Sequence, residues 1–444
     1  MSRLKLEDCK KSGDALYLVM ANLDPDNSGR QADLAAGKPA VAARGRFSVS
    51  DRAEAGTIIG SHTMTHVYGH GFYVIIPEIY RQLGLVPLQA GLIDTVRSLC
   101  GGLGSMLVGF IVDIYKHRRG LFLGLSIMTM GVGYFLVSVA PNYALILMAL
   151  ALASIGNAMW HPPGLGLLSE RYPRRRGLLI ALHRSSGSVG DTLSPPLVGF
   201  LLVAITWQQT LQAALPLAIL LSVVLWVLLW NVGGSRVQHG SLKSNLQNYA
   251  TALREAGRDS GLLTLLLVSG VRGMGDRGLF LFIPLYLAQN LEMSTIGIGF
   301  HLGLLTFLGI ASGPVIGAIS DRIGRKPMII LVLFMSAIFP PLMVMSGAGI
   351  GLTISIALFG VFLYSINSLV QAAAMDVAEG KKLEGTLIGL LWGNNALFSA
   401  ASPILAGALA GIFGFQAAFY YAAVMFFAGG LLAFRLPVRK IPQP

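Results

Sequence analysis

Cysteine is almost absent from this chain. Cys9 and Cys100 are its only two, which excludes a disulfide scaffold and any multi-thiolate metal cluster. Charge is scarce too: 12% of the 444 residues are Asp, Glu, Lys or Arg, against about 25% in soluble domains. Acidic residues are the rarer sign, 21 against 33 basic ones. That excess does not indicate a nucleic-acid partner, because the basic residues lie in short loops between apolar runs rather than on one phosphate-binding face. A G-x-x-x-x-G-K-[ST] loop, an H-E-x-x-H pair and a nucleophile elbow are all missing. Nucleotide-driven and catalytic roles are therefore not expected, and neither is a cofactor.

What fills the chain instead is apolar: 54% of residues are hydrophobic and the mean hydropathy is +0.66. A membrane-spanning helix needs about 20 mostly apolar residues. Twelve such runs follow one another, near 56–78, 88–112, 120–140, 144–168, 177–205, 210–231, 261–288, 295–319, 327–346, 350–375, 385–411 and 416–436. They are rich in Gly, Leu and Ala without sustained period-2 alternation, so they predict helices rather than barrel strands. Basic residues collect in every second loop, as in Lys116, Arg118 and Arg119, or Arg322, Arg325 and Lys326. The alternate loops hold almost none. This asymmetry predicts a multi-pass membrane protein with both termini and the 233–260 loop cytoplasmic. Residues 1–55, with nine basic and eight acidic side chains, read as a flexible cytoplasmic tail; residues 437–444 read as a second.

The two halves repeat. Gly101, Ser105 and Gly109 match Gly309, Gly313 and Gly317, each 208 residues on, and the same offset joins Asp113 to Asp321, Pro195 to Pro403 and Gly199 to Gly407. Pro77 matches Pro284 at 207. The expected fold is an all-α integral membrane protein of two pseudo-symmetric six-helix bundles, 56–232 and 261–436, joined by a connector at 233–260. Such duplicated bundles bind a ligand near the bilayer midplane between the halves and rock to alternate access. The Gly309-Gly313-Gly317 ladder suits close helix approach, or simple packing.

Over residues 56–436 the chain resembles the major facilitator superfamily. The segment Gly317-Ala-Ile-Ser-Asp321-Arg322-Ile-Gly324-Arg325-Lys326 is similar to that family's G-x-x-x-D-R-x-G-R-K motif. The first-half copy keeps Gly109, Asp113, Arg118 and Arg119 but lacks the Arg after Asp113 and the internal Gly. The resemblance implies gating loops, in which a carboxylate at a helix end binds a loop Arg and holds the halves together; a bare surface ion pair is the plainer reading. Gly156-Asn-Ala-Met-Trp160-His161-Pro162, with Gly187-Ser-Val-Gly190-Asp191 and Ser194-Pro195, resembles the fosmidomycin resistance protein group, itself similar to proton-driven drug exporters. A static receptor has no use for a duplicated gate.

Charges at bilayer depth cost about 2.5–3.5 kcal/mol each on insertion scales, so they are candidate functional groups. The second run holds Asp94 and Arg97, the fifth Arg184 and Asp191, the seventh Arg272, Asp276 and Arg277. They read either as self-neutralised pairs within each helix or as a cavity whose positive excess favours an anionic substrate. His62, His66 and His70 form one stripe along the first helix at i, i+4 and i+8. Runs one, four, seven and ten line the cavity in the resembled family, which turns that stripe and His161 inward. Histidine can carry protons, can pack as a hydrogen-bonded residue, or, at i and i+4, can share a metal ion. Trp160, Asn367, Gln371, Asn394 and Asn395 are secondary cavity candidates, with hydrogen bonding between helices the equal alternative for the four amides. The expected function is proton-coupled export of a small anionic or amphipathic compound by a monomer that meets only substrate, protons and lipid. Proton-symport uptake of an organic acid, or divalent metal transport through the first-helix histidines, stay open as alternatives.

Overall fold

A computed structural model describes residues 49–229, 251, 254, 260–378 and 384–437. Most of the expected tail 1–55, nearly all of the connector 233–260 and all of the 437–444 tail beyond its first residue lie outside the described residues. Every regular element described is helical: α1 Val49–Gln82, α2 Pro87–Ile114, α3 Arg119–Val139, α4 Tyr143–Arg171, α5 Arg176–Ala204, α6 Trp207–Leu229, α7 Ser260–Phe280, α8 Phe282–Gln289, α9 Thr295–Ile323, α10 Arg325–Ser346, α11 Ile350–Ala378, α12 Glu384–Phe413 and α13 Gln416–Ala433. From Ala53 onward these belong to one packed unit; of the separate unit 1–52, only 49–52 are described, as the first turn of α1.

Each apolar run is a helix, with two departures from the expected bounds. Helix α1 starts at Val49 rather than 56, because the polar segment before the apolar run is a good helix former with Asp51 in its first turn. The seventh run is split at Leu281 into α7 and α8. Pro284 has no N–H for the Phe280 carbonyl, which removes the bond that would join them.

Nine of the described helices are long and apolar enough to cross a membrane. The long helices outside that set are α1, α2 and α7, which carry the histidine stripe, Asp94 with Arg97, and the Arg272-Asp276-Arg277 group. Their polarity is turned inward. The outer surface is apolar instead, with Val227, Met345 and Ile350 about three-quarters exposed, a surface suited to hydrocarbon rather than water.

Within the first six helices α3 packs on α4 and α6, and α2 on α4; within the rest, α10 packs on α11 and α13, α7 on α12 and α13, and α9 on α11. Across the halves α2 meets α12 and α5 meets α9. These two seams are copies of one another. A Cβ on Gly91 would strike the Pro403 carbonyl, and one on Gly299, 208 residues on, would strike the Pro195 carbonyl. Gly407 lies against Pro87 as Gly199 lies against Thr295. Hydroxyls stitch the seams: Thr95 Oγ1 donates to the Ala400 carbonyl at 2.8 Å and Thr295 Oγ1 to that of Gly199 at 2.9 Å. Pro195 also orphans the Asp191 carbonyl, which lies 3.3 Å from the Thr306 hydroxyl of α9, a group whose nearer acceptors are the Gly303 and Leu302 carbonyls of its own helix at 2.9 and 3.1 Å.

The Gly91, Gly199, Gly299 and Gly407 contacts lie toward the helix ends opposite the basic loops. At the basic-loop end, Gly313 and Gly317 face open space, and the expected ladder serves close approach only at Gly309, against the Gly360 carbonyl and Tyr364. Among the described residues the close backbone contacts between the halves fall toward the end away from the basic loops. Gly91→Leu should therefore disfavour closure by about 1–3 kcal/mol, the usual cost of overpacking. In a background without native cysteines, a cysteine at Thr95 should become reactive toward a membrane-impermeant maleimide once Gly91 is leucine, and stay protected while it is glycine.

Candidate functional site

Between the halves lies a cavity of about 500 Å³ lined by Asp94, Arg97, His161, Arg184, Arg272, Asp276, Arg277, Asn367, Gln371 and Asn395, among others. It adjoins a chamber of about 300 Å³ that adds His66, His70, Phe280 and Tyr364. Tyr73, Arg97, Asn157, His161, Asp276, Arg277 and Asn367 border both. Four guanidiniums and two carboxylates face the larger space, leaving two positive charges in excess with the planar forks that suit carboxylates and phosphate-like groups.

The charges are tied across the halves. Arg97 and Asp94, three residues apart on α2, pair at 3.2 Å, and Arg97 also donates to the Gly69 carbonyl at 3.0 Å. Asp94 is buried, and its Oδ1 accepts the Tyr73 hydroxyl at 2.8 Å. That phenol oxygen accepts Arg277 Nη1 from α7 at 3.3 Å. Arg97 lies over the Tyr73 ring at 4.7 Å. On α7, Arg272 gives one arm to Asn367 of α11 at 2.7 Å and another, at a longer 3.4 Å, to Asp276. Arg184 and Asp191, two turns apart on α5, are not partners. Arg184 reaches Gln371 of α11 at 3.5 Å, whereas Asp191 turns to α1.

There it meets the histidine stripe. Its Oδ1 accepts His66 Nδ1 at 2.6 Å and also pairs with His70. His66 Nε2 faces His62 Nε2 at 3.1 Å, and His62 Nδ1 donates to the His183 carbonyl at 2.9 Å. No carboxylate lies on α1 within the stripe; α5 supplies one. His161 and His183 complete the cluster, with ring centroids 5.3 Å and 3.7 Å from that of His62. His301 lies apart on α9, held by the Gly297 carbonyl and Thr353.

In the loop motifs, Asp321 pairs with Arg325, which also bonds Ser320 and reaches Asp376 at 3.5 Å; all four belong to the second half. Lys326 donates to the Leu436 carbonyl at 2.7 Å, and Arg322 is exposed. In the first half Arg119 pairs with Glu170 at 2.8 Å. Each of these contacts lies within one half. Gly324 has φ 107°, open to glycine but not to side chains. The first-half loop lacks that glycine and turns through a 3-10 segment at Lys116–Arg118 instead. The Asp113 side chain lies outside the described residues, and Gly109 approaches Pro162.

Two secondary candidates need correction. Trp160 is fully buried, donates to Ser61 Oγ at 3.1 Å and stacks on His183, so it backs the histidines rather than the cavity. Asn394 donates to the Leu266 carbonyl at 2.7 Å and serves helix packing; Asn395 bonds the Ser269 carbonyl while still lining the cavity. The sequence reading missed Tyr73, His183, Glu170 and Asp376 as site residues. Glu170 and Asp376 were detectable, since they sit 206 residues apart, as do their partners Arg119 and Arg325. For the Tyr73 bridge the sequence holds no comparable signal.

The profile of the Major Facilitator Superfamily matches residues 61–392 and 265–444. The chain is 24% identical over 384 residues to the uncharacterized MFS-type transporter YfnC of Bacillus subtilis, covering 84% of this chain and 90% of that protein. It is 24% identical over 357 residues to the fosmidomycin resistance protein of Escherichia coli, covering 79% and 86%. A bacterial homolog of the human lysosomal transporter Spinster, solved in an inward-facing, occupied conformation, shares the fold with a TM-score of 0.70 at 13% identity, over 88% of this chain and 97% of that one. The chain is an integral, multi-pass membrane protein and belongs to the major facilitator superfamily of transporters.

Proposed function

We propose that this transporter is a proton-coupled antiporter that exports a small anionic or amphipathic compound from the cytoplasm, as a monomer in the bacterial inner membrane. The observation that carries this reading is the cavity between the halves, with its four arginines against two aspartates. Arg97, Arg184, Arg272 and Arg277 bind the anionic part. Asp276, which accepts a long 3.4 Å contact from Arg272, carries the proton. Exchange follows when a donor on the compound occupies that carboxylate, which then cannot hold a proton, so binding one releases the other. Likeness to the fosmidomycin resistance protein supports export. The close contacts between the halves at the far end support loading from the cytoplasm, with the Asp113 and Asp321 loops as the gate on that side.

The Arg272–Asp276 contact also favours a second reading. Protonating Asp276 would free Arg272 for an anion, so that proton and substrate bind together and move by symport. Everted vesicles with an internal pH dye separate the two readings over a panel of phosphonates, organic acids and amphipathic drugs. A compound that alkalinises an acid lumen only when the protein is present supports antiport; one that acidifies a neutral lumen overturns export in favour of uptake.

Asp276→Asn should eliminate gradient-driven transport while leaving counterflow exchange; loss of both would make Asp276 a structural partner of Arg272. Arg277→Gln removes a charge-assisted hydrogen bond worth about 1.5–3 kcal/mol and should raise the substrate Kd by roughly 10- to 150-fold in a direct binding assay. Asp321→Asn should slow transport several-fold or more while leaving equilibrium binding unchanged; a large binding defect would contradict a gating role.

A further inference from the structure

The histidine cluster has a feature that the transport reading leaves unused. His62 Nδ1 lies 2.9 Å from a carbonyl and His66 Nδ1 lies 2.6 Å from a carboxylate oxygen, both of which can only accept. Both Nδ1 atoms therefore carry the hydrogen, and both Nε2 atoms present lone pairs. These two lone-pair nitrogens face one another at 3.1 Å, an arrangement that is repulsive unless a cation sits between them.

A proton would answer that pair alone. The cluster holds more: the ligand nitrogens of His62, His161 and His183 all lie within 4.8 Å of one another. His183 Nδ1 is buried, with no hydrogen bond reaching it among the described residues. Two imidazoles on a tetrahedral ion, with N–metal bonds of about 2.0–2.1 Å, place their nitrogens roughly 3.3 Å apart. The His62–His66 pair is already near that spacing, with rings at 74°.

The surroundings match a ligand shell. A metal-bound imidazole commonly donates its other N–H to a carboxylate or carbonyl, which sets its tautomer and orientation. His66 does so to Asp191 and His62 to the His183 carbonyl. Asp191 also supplies the negative charge that a buried cation needs. Space for the pair is made by Gly187, where a Cβ would lie 2.7 Å from His62 Cε1 and 2.8 Å from His66 Nε2. Trp160 stacks on His183 behind it.

We propose that His62, His66, His161 and His183 bind one divalent transition-metal ion of the Zn²⁺ class, with Asp191 as the outer carboxylate that orients His66. Imidazole donors with no thiolate or carboxylate in direct contact suit Zn²⁺, Co²⁺ or Ni²⁺ over Mg²⁺ or Ca²⁺. Two walls of the site, His66 and His161, also border the chambers, so the ion would add positive charge beside the substrate space.

The test uses the purified full-length protein in detergent, stripped with a chelator and titrated with Co²⁺, then with Zn²⁺ in competition. One Co²⁺ per chain with the visible absorption of a tetrahedral ion, displaced by Zn²⁺, is expected. His62→Gln with His161→Gln should abolish it, Asp191→Asn should weaken it about 10- to 100-fold, and His301→Gln should leave it unchanged. Gly187→Ala keeps every ligand and should still weaken binding at least tenfold, which guards against a misfolded double variant; each variant is checked for a monodisperse elution profile. Absence of stoichiometric Co²⁺ binding, or binding that persists in the double variant, would overturn the site and leave a shared proton between His62 and His66. Binding is read without transport, so failure of the antiport reading does not decide it.

Discussion

An ionised side chain in hydrocarbon persists only where a partner or water answers it, and the interior of this protein is arranged around that requirement. Helices α1, α2 and α7 carry the histidine stripe, the Asp94–Arg97 pair and the Arg272-Asp276-Arg277 group. Their charged faces have to meet, and where they meet the cavity forms. Tyr73 is the joint of that meeting: its hydroxyl donates to Asp94 in one half and accepts from Arg277 in the other. Neither half answers its own charges completely, so each depends on the other.

Lipid gives helices little apolar reason to associate, so their contacts rest on close backbone approach and hydrogen bonds. That is how the two seams are built, with Gly91 and Gly299 laid on proline carbonyls and threonine hydroxyls bonded across. The basic-loop end has no such contacts at Gly313 or Gly317, and the pairs Arg119–Glu170 and Asp321–Arg325 each lie within one half. The two loops also differ in backbone. Gly324 makes one sharp turn with positive φ, while a 3-10 segment makes the other, so the duplicated sequence does not give duplicated stiffness.

Most of the architecture was legible before any coordinates. Long apolar runs without period-2 alternation are helices in a bilayer, and the 208-residue register paired Pro195 with Pro403, whose carbonyls the structure then places at the two seams. Local pairs were legible as well: Asp94 with Arg97 and Arg272 with Asp276 follow from three- and four-residue spacing on a helix. Spacing failed where the partner lies on another helix. Arg184 and Asp191 looked like a pair along α5, yet rotation about the helix sends one to Gln371 and the other to His66. Trp160 failed for the same reason, since the face it presents depends on how α4 packs rather than on its own sequence. His183 was one more polar residue in an apolar run until α1 was laid beside it.

Asp191 faces two different directions. Its carboxylate orients histidines on α1, and its carbonyl, freed by Pro195, lies 3.3 Å from the Thr306 hydroxyl of the opposite half. Under the proposed alternating access α9 moves against α5, so residue 191 stands where a change in that packing would reach the imidazoles. A cation held there, as proposed, would favour one opening over the other, and by reciprocity that opening would hold it more tightly.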